Sequence, residues 1–215
     1  MFSRIFGAFK PLPPPTIVGP ATQPTTSFAI AAQSARSMST NGNAVEKGTF
    51  ASGCFWGTEH IFREHYKGKG LIDAKVGFIG GKESSKNPSY EEVCTGRTGH
   101  AEAAQVTFDP RKVSYAELVE FFYRTHDPTQ LNAQGNDRGT QYRSAIFAHS
   151  PEQLEAIKKV TNEVQEKHFT PKGKKIVTQV EERPAGDFFE ADEHHQEYLH
   201  KNPWGYQCGT HRLWW

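Results

Sequence analysis

Cysteine is scarce in this sequence: its 215 residues hold three, Cys54, Cys94 and Cys208. So small and odd a number does not build the disulfide framework of a small secreted domain. It points to a reducing compartment in which cysteine is either buried or used for chemistry. The chain has no Cys-x-x-Cys pair, which argues against a thioredoxin-type redox centre, and no His-Glu-x-x-His run. Histidines are present, but His194 and His195 are adjacent and His60 and His65 are badly spaced to share one helix face, so no metal is expected. Asn87-Pro88-Ser89 is blocked as a glycosylation acceptor by its proline. Basic and acidic residues balance at 25 and 24, a net charge of +1, so neither sign supplies a field for nucleic acid. No apolar run approaches the ~20 residues that cross a bilayer. These absences leave a globular protein of about one domain, with no nucleic-acid or membrane partner expected.

Acidic side chains are wholly missing from residues 1–45, which carry Arg4, Lys10 and Arg36, many Ser, Thr and Ala, and a proline-rich run at 11–15. Such a segment does not bury a core of its own. Residues 1–46 therefore divide off as a disordered tail from a domain at 47–215. The tail resembles a mitochondrial transit peptide, with a mixed basic and apolar start at 2–10 and a candidate cleavage region at Ser34-Ala35-Arg36-Ser37. Met38 offers a second start that would leave a cytoplasmic form without the tail. The expected location is mitochondrial, cytoplasmic or both.

Periodicity and turn residues predict a strand at 48–53, a helix at 58–66, strands at 71–79 and 101–108, and a helix at 114–125. They then predict a strand at 143–148, a helix from Ser150, a strand at 175–180 and a helix at 188–200. Ser114 with Glu117 and Ser150 with Gln153 have capping-box spacing, and Pro151 suits the first helical position. The stretch 201–215 reads as an irregular tail. The order is an α+β, ferredoxin-like β-α-β-β-α-β core with extra helices. That fold hosts many functions, so function has to come from a site.

The candidate site is the run Gly53-Cys54-Phe55-Trp56-Gly57, between a predicted strand and a predicted helix. Backbone N–H groups at a helix start favour an anion and would raise the thiolate fraction of Cys54. The glycines allow a sharp turn and close approach of a substrate to the backbone. Phe55 and Trp56 would form an apolar wall suited to a small, soft group such as an S-methyl. Local physics leaves several readings open: a reactive thiol, a buried core cysteine, a Cys–His transferase using His100 or His195, or a module that binds methionine without chemistry.

The five-residue run resembles the signature of the peptide methionine sulfoxide reductase A family, and further blocks follow in order. They are Asn87 to Gly96, Gly99-His100-Ala101-Glu102-Ala103, His126-Asp127-Pro128, Gly135 to Ser144, and His195-Gln196-x-Tyr198-Leu199 with Lys201-Asn202-Pro203. The resemblance covers roughly residues 47–210. It implies that Cys54 attacks the sulfoxide sulfur and that Glu102 is the catalytic acid. Tyr90 and Tyr142 would donate hydrogen bonds to the oxygen, and Asp137 would help hold the substrate beside Phe55 and Trp56. It also implies a Cys54 sulfenic acid captured by Cys208 as a disulfide, which thioredoxin, or dithiothreitol in vitro, reduces. Cys208 would be the single resolving cysteine of a flexible, glycine-bracketed tail. Cys94 reads as structural, with a relay role as the alternative. The substrates implied are oxidised proteins containing methionine S-sulfoxide. No bound cofactor is expected, and nothing suggests an oligomer.

Overall fold

The computed structural model describes residues 23–36 and 45–215. Its centre is a sheet of six strands in the order β7-β6-β1-β3-β2-β8. The strands are β1 (Glu46–Ser52), β2 (Leu71–Ile79), β3 (Ala101–Phe108), β6 (Ser144–Ala148), β7 (Gln179–Glu182) and β8 (Phe189–Glu190). All pairings are antiparallel except β6 with β7. A separate two-stranded hairpin pairs β4 (Ala133–Gln134) with β5 (Asp137–Arg138). The helices are α1 (Ser27–Arg36), α2 (Phe55–Tyr66), α3 (Tyr90–Cys94), α4 (Tyr115–Arg124), α5 (Pro151–Val164) and α6 (Tyr198–Lys201).

Alternation along the strands divides the buried residues between the two faces of the sheet. Phe50, Ala74, Val106, Phe108 and Ile146 join Phe62, Leu118, Phe122 and Ile157 in one core beneath α1, α2, α4 and α5. The residues one step away, Ala51, Ile79, Ala101, Ala103, Ala145 and Phe147, form a thinner layer on the other face, against Phe188. Period two places Glu102 on the helix-covered face with Val106 and Phe108. There it stands opposite Phe78 of β2.

Ser114 and Glu117 form the expected capping box at α4, and Ser89 and Glu92 form another at α3. At α5 the box is incomplete. Ser150 caps the Gln153 N–H, but the Gln153 side chain turns away, accepting from His149 N and donating to Lys47 O.

Three sequence expectations need correction. The strand expected at 175–180 lies later, at β7, because the backbone donors before it are taken elsewhere. Ile176 N donates to Gln165 and Val177 N to the Pro128 carbonyl. The helix expected at 188–200 is mostly absent. The segment instead covers the edge of the sheet: Phe189 and Glu190 pair with β2, and the Gln196 amide continues the ladder on Val76 N and O. Glu197 at φ +53° then confines the helix to α6.

Finally, the segment 1–46 is not a disordered tail throughout. Residues 27–36 form α1, whose Ala29 is fully buried. This segment needs no core of its own because the domain supplies the acids it lacks. Glu120 accepts from Thr25 N and Thr26 N at 2.5 and 2.9 Å, and Glu163 from Ser27 N and Phe28 N at 2.6 and 3.0 Å. Two carboxylates thereby satisfy N–H groups at a helix start, where negative charge is favoured. The basic and apolar start at 2–10 and Met38 lie outside the described residues.

Candidate active site

β1 ends at Ser52 and α2 begins at Phe55, so two residues carry the turn. Gly53 takes φ +97°, and a side chain there would run into Gln134. Cys54 follows as the N-cap of α2, with no side-chain cap bond and only 6% exposure. The Trp56 and Gly57 N–H groups lie near its sulfur without closing a cap hydrogen bond and favour its thiolate. The space left by Gly57 is filled by the His211 ring from the C-terminal tail rather than left for a substrate.

Glu102 lies under this helix start. Phe55 N donates to its Oε2 at 3.1 Å, while Oε1 is buried with no partner. Burial lifts its carboxyl to about 8, the Phe55 N–H pulls the other way, and Asp137 adds to the rise. Glu102 is thus a neutral acid near pH 7 with one oxygen open, in the environment its assigned role requires. The expectation for Cys54 does not hold in the same way. Burial first and then Glu102 push its thiol well above the ordinary value, and the Trp56 and Gly57 N–H groups only partly offset this. A helix start can favour a thiolate, but here desolvation and a neighbouring carboxyl win.

Around the sulfur stands an aromatic cradle. Phe55 is buried and packs with Phe78, Tyr90 and His195 at 5.8, 6.3 and 5.3 Å between ring centres. Trp56, half-buried, stacks on Tyr198 at 3.8 Å and donates Nε1–H to His195 Nδ1 at 3.2 Å. Of the two expected wall residues, Trp56 is therefore the accessible one and Phe55 its support. Tyr90 and Tyr142 are half-buried, and both phenols are held neutral by burial and by Glu102. Cys94 is exposed and has a local partner, the Tyr90 hydroxyl one turn away.

The β4–β5 hairpin forms another side. Asp137 Oδ1 accepts from Tyr206 at 2.7 Å, and its Oδ2 is buried without a partner. Cys208 is 4% exposed; its thiol donates to Gln134 O at 3.2 Å and lies 3.1 Å from the Thr210 hydroxyl. Since Gln134 also packs against Gly53, a single residue separates the Cys208 thiol from the Cys54 turn. All three cysteines are free. The tail is irregular, as expected, yet it is fastened beyond Cys208. His211 Nε2 donates to Ser52 O at 2.7 Å, Trp214 N to Arg124 O at 2.9 Å, and Arg124 donates twice to the Trp215 carbonyl at 3.0 and 2.8 Å.

A family profile described as peptide methionine sulfoxide reductase matches residues 46–213. The chain belongs to this family. It is 47% identical over 169 residues to the peptide methionine sulfoxide reductase of Saccharomyces cerevisiae, covering 77% of this chain and 88% of that one. It is 51% identical over 159 residues to the enzyme of Methanothermobacter thermautotrophicus, covering 74% and 88%. Among solved structures, the reduced form of Mxr1 from S. cerevisiae superposes with a TM-score of 0.72 at 46% identity, over 81% of this chain and 95% of that one. An unusual oxidized form of the same protein gives 0.53 at 44% identity, over 79% and 88%. The reductase therefore resembles the reduced relative more closely, in keeping with its free thiols.

The eight residues singled out from the sequence surround one turn of this reductase. Tyr206 and His211 were missed, because each acts through a partner about 70 or more positions away, Asp137 or Ser52. His195 and Tyr198 were visible only as parts of a family block. None of the described histidines is hydrogen-bonded to the Cys54 thiol: His195 serves Trp56, His211 serves Ser52, and His100 serves Ser85. This removes the geometric basis for a Cys–His transferase.

Proposed function

We propose that Cys54 and Glu102 carry the family's reaction here, on the S epimer of methionine sulfoxide in oxidised proteins. The observation that carries this reading is the open Oε1 of a neutral, buried Glu102 beside the thiol at the head of α2. The methyl group lies against Trp56, and the sulfoxide oxygen faces Glu102 with Tyr90 and Tyr142 as neutral donors. Glu102 gives its proton to the oxygen as the Cys54 sulfur attacks, and the thiol's proton passes to the Glu102 carboxylate, so the acid is restored and charge does not build up in the dry site. The net step converts sulfoxide and thiol into methionine and Cys54 sulfenic acid. The Cys208 thiol then displaces water from it, forming a Cys54–Cys208 disulfide. Asp137, with Tyr206, supports the hairpin side of the site.

Thioredoxin is the proposed reductant of that disulfide. Support comes from the structure of Mxr1 in complex with Trx2, to which this chain is similar with a TM-score of 0.51 at 32% identity, over 81% of this chain and 94% of that one. Each residue in the scheme comes from one chain, which suits a monomer, and no step calls for a cofactor. The strand order β6-β1-β3-β2, with α2 and α4 on one face, supports the ferredoxin-like description of the core. A mitochondrial location is supported by the acid-free N-terminal composition, and a cytoplasmic one, alone or beside it, by Met38 as a second start.

Turnover of an S-sulfoxide peptide with dithiothreitol tests the scheme in wild type, Cys54→Ser and Glu102→Gln. Activity is expected only in wild type, with a trace in Glu102→Gln. Turnover surviving in Cys54→Ser would sink the mechanism.

A further inference from the structure

His211, in the C-terminal tail, packs against the Cys54 turn. Its Nε2–H donates to Ser52 O, two residues before Cys54, and its ring occupies the space vacated by Gly57, three residues after it. It is 4% exposed, and its Nδ1 is buried without a partner. The His211 N–H also closes a short turn on the Cys208 carbonyl at 3.0 Å. The cysteine is thus joined, through three residues, to a point fixed under its target.

We infer that His211 is the pivot that positions Cys208 for capture of the Cys54 sulfenic acid. This rests on the assignment of Cys208 as resolving thiol and goes beyond it. In the reduced state the Cys208 thiol is parked on Gln134 O. Capture requires it to leave that carbonyl and reach the Cys54 sulfur. A three-residue tether reaches at most ~11 Å, so with His211 in place the thiol stays close to its target while the turn at 208–211 opens. Without the pivot, Cys208 keeps its N-terminal anchor, Tyr206 on Asp137, but on the C-terminal side it is held only by the more distant clamp of Arg124 on Trp214 and Trp215. The longer tether lowers its effective concentration at Cys54. The step itself is unchanged: Cys54–S–OH and Cys208–SH give the disulfide and water, with the sulfoxide as the source of oxidising equivalents.

The test separates the two half-reactions. Reduced full-length protein receives one equivalent of an S-sulfoxide peptide with no reductant. Methionine formation, free thiols and trapping of sulfenic acid by dimedone are followed together. Wild type should lose both reacting thiols almost as fast as methionine appears. His211→Ala should form methionine at nearly the wild-type rate, lose the second thiol roughly tenfold more slowly and accumulate the trapped sulfenic acid. Turnover driven by thioredoxin should fall, while turnover with dithiothreitol, which can reduce the sulfenic acid directly, should persist. His211→Leu fills the ring's space without a donor and should behave like His211→Ala even if the alanine variant folds poorly. His211→Gln keeps an N–H for Ser52 O and should recover most of the rate. Wild-type disulfide formation in a folded His211→Leu protein would overturn the inference. Cys208→Ser, run in parallel, should lose one thiol only. If it instead loses two and still turns over with thioredoxin, the resolving assignment itself fails.

Discussion

The five longer or capped helices of this reductase begin in three ways. Helices α3, α4 and α5 each carry a serine N-cap whose hydroxyl accepts from the third residue of the helix. Helix α1 has a threonine N-cap of its own, Thr26 accepting from Ala29 N at 3.3 Å, and adds to it the carboxylates of Glu120 and Glu163 from other helices. Helix α2 begins on Cys54 with no side-chain cap at all. A serine cap is worth about 1 kcal/mol, so α2 forgoes stability that its neighbours possess. Its first N–H groups are instead directed at Glu102 and toward the Cys54 sulfur, the two groups that change protonation in the proposed reaction. The contrast shows where this fold spends helix-start donors on chemistry rather than on holding the chain.

Four predictions bear on that contrast, beginning with the largest effect. Cys54→Ser should abolish turnover while restoring a serine cap, leaving stability unchanged or higher by up to about 1 kcal/mol. A loss of that size in thermal unfolding would mean that α2 is not short of a cap. Next, Glu102→Gln should lower kcat/KM by roughly 10²–10⁴-fold. In wild type, kcat/KM should fall as the pH rises past about 8, where Glu102 loses its proton, and that limb should vanish in the variant. The stability sign follows from the same shift. The folded chain holds a proton on Glu102 from 4.5 up to about 8 that the unfolded chain releases. Stability is therefore full below the lower value and declines as the pH rises through the higher one. Denaturant titrations across that range should show a shallower decline in Glu102→Gln.

The borrowed caps come third. A chain starting at Met38 lacks α1 and should be less stable by about 1–3 kcal/mol, because Glu120 and Glu163 lose charged hydrogen bonds. Its midpoint should drop by roughly 2–4 °C for each kcal/mol. An unchanged midpoint would show that α1 merely rests on the domain. The smallest effect is expected for Ser114→Ala at α4. It should cost about 1 kcal/mol, with turnover unaltered, since this cap lies in a helix that contributes no assigned site residue.

Much of the centre of the molecule was legible in the sequence because its signals are local. Strands at Leu71–Ile79 and Ala101–Phe108 lie where alternation and flanking turn residues put them. Helix α4 starts at its capping box. Misreadings cluster where distant partners decide. Residues 188–200 carry apolar residues with helical spacing, yet an uncovered edge at Val76 captures Gln196 and holds the segment extended. Residues 27–36 looked unable to fold because the acids that cap them belong to α4 and α5. The candidate residues were found from ordered blocks of sequence, but Tyr206 and His211 left no such mark.

Sequence alone determined which thiol stands at a strand-to-helix turn, which acid and phenols accompany it, and how the four central strands follow one another. Each of these is encoded within a few residues, by side-chain period, turn chemistry or a short motif. Only the tertiary structure decided the state of those groups: a Glu102 carboxyl kept protonated, a Cys54 thiol held above its ordinary range rather than below it, and a tail fastened by His211 and Arg124. Those outcomes depend on burial and on contacts between residues far apart in the chain. Desolvation in a packed site outweighs the helix start that the sequence, read locally, would have trusted.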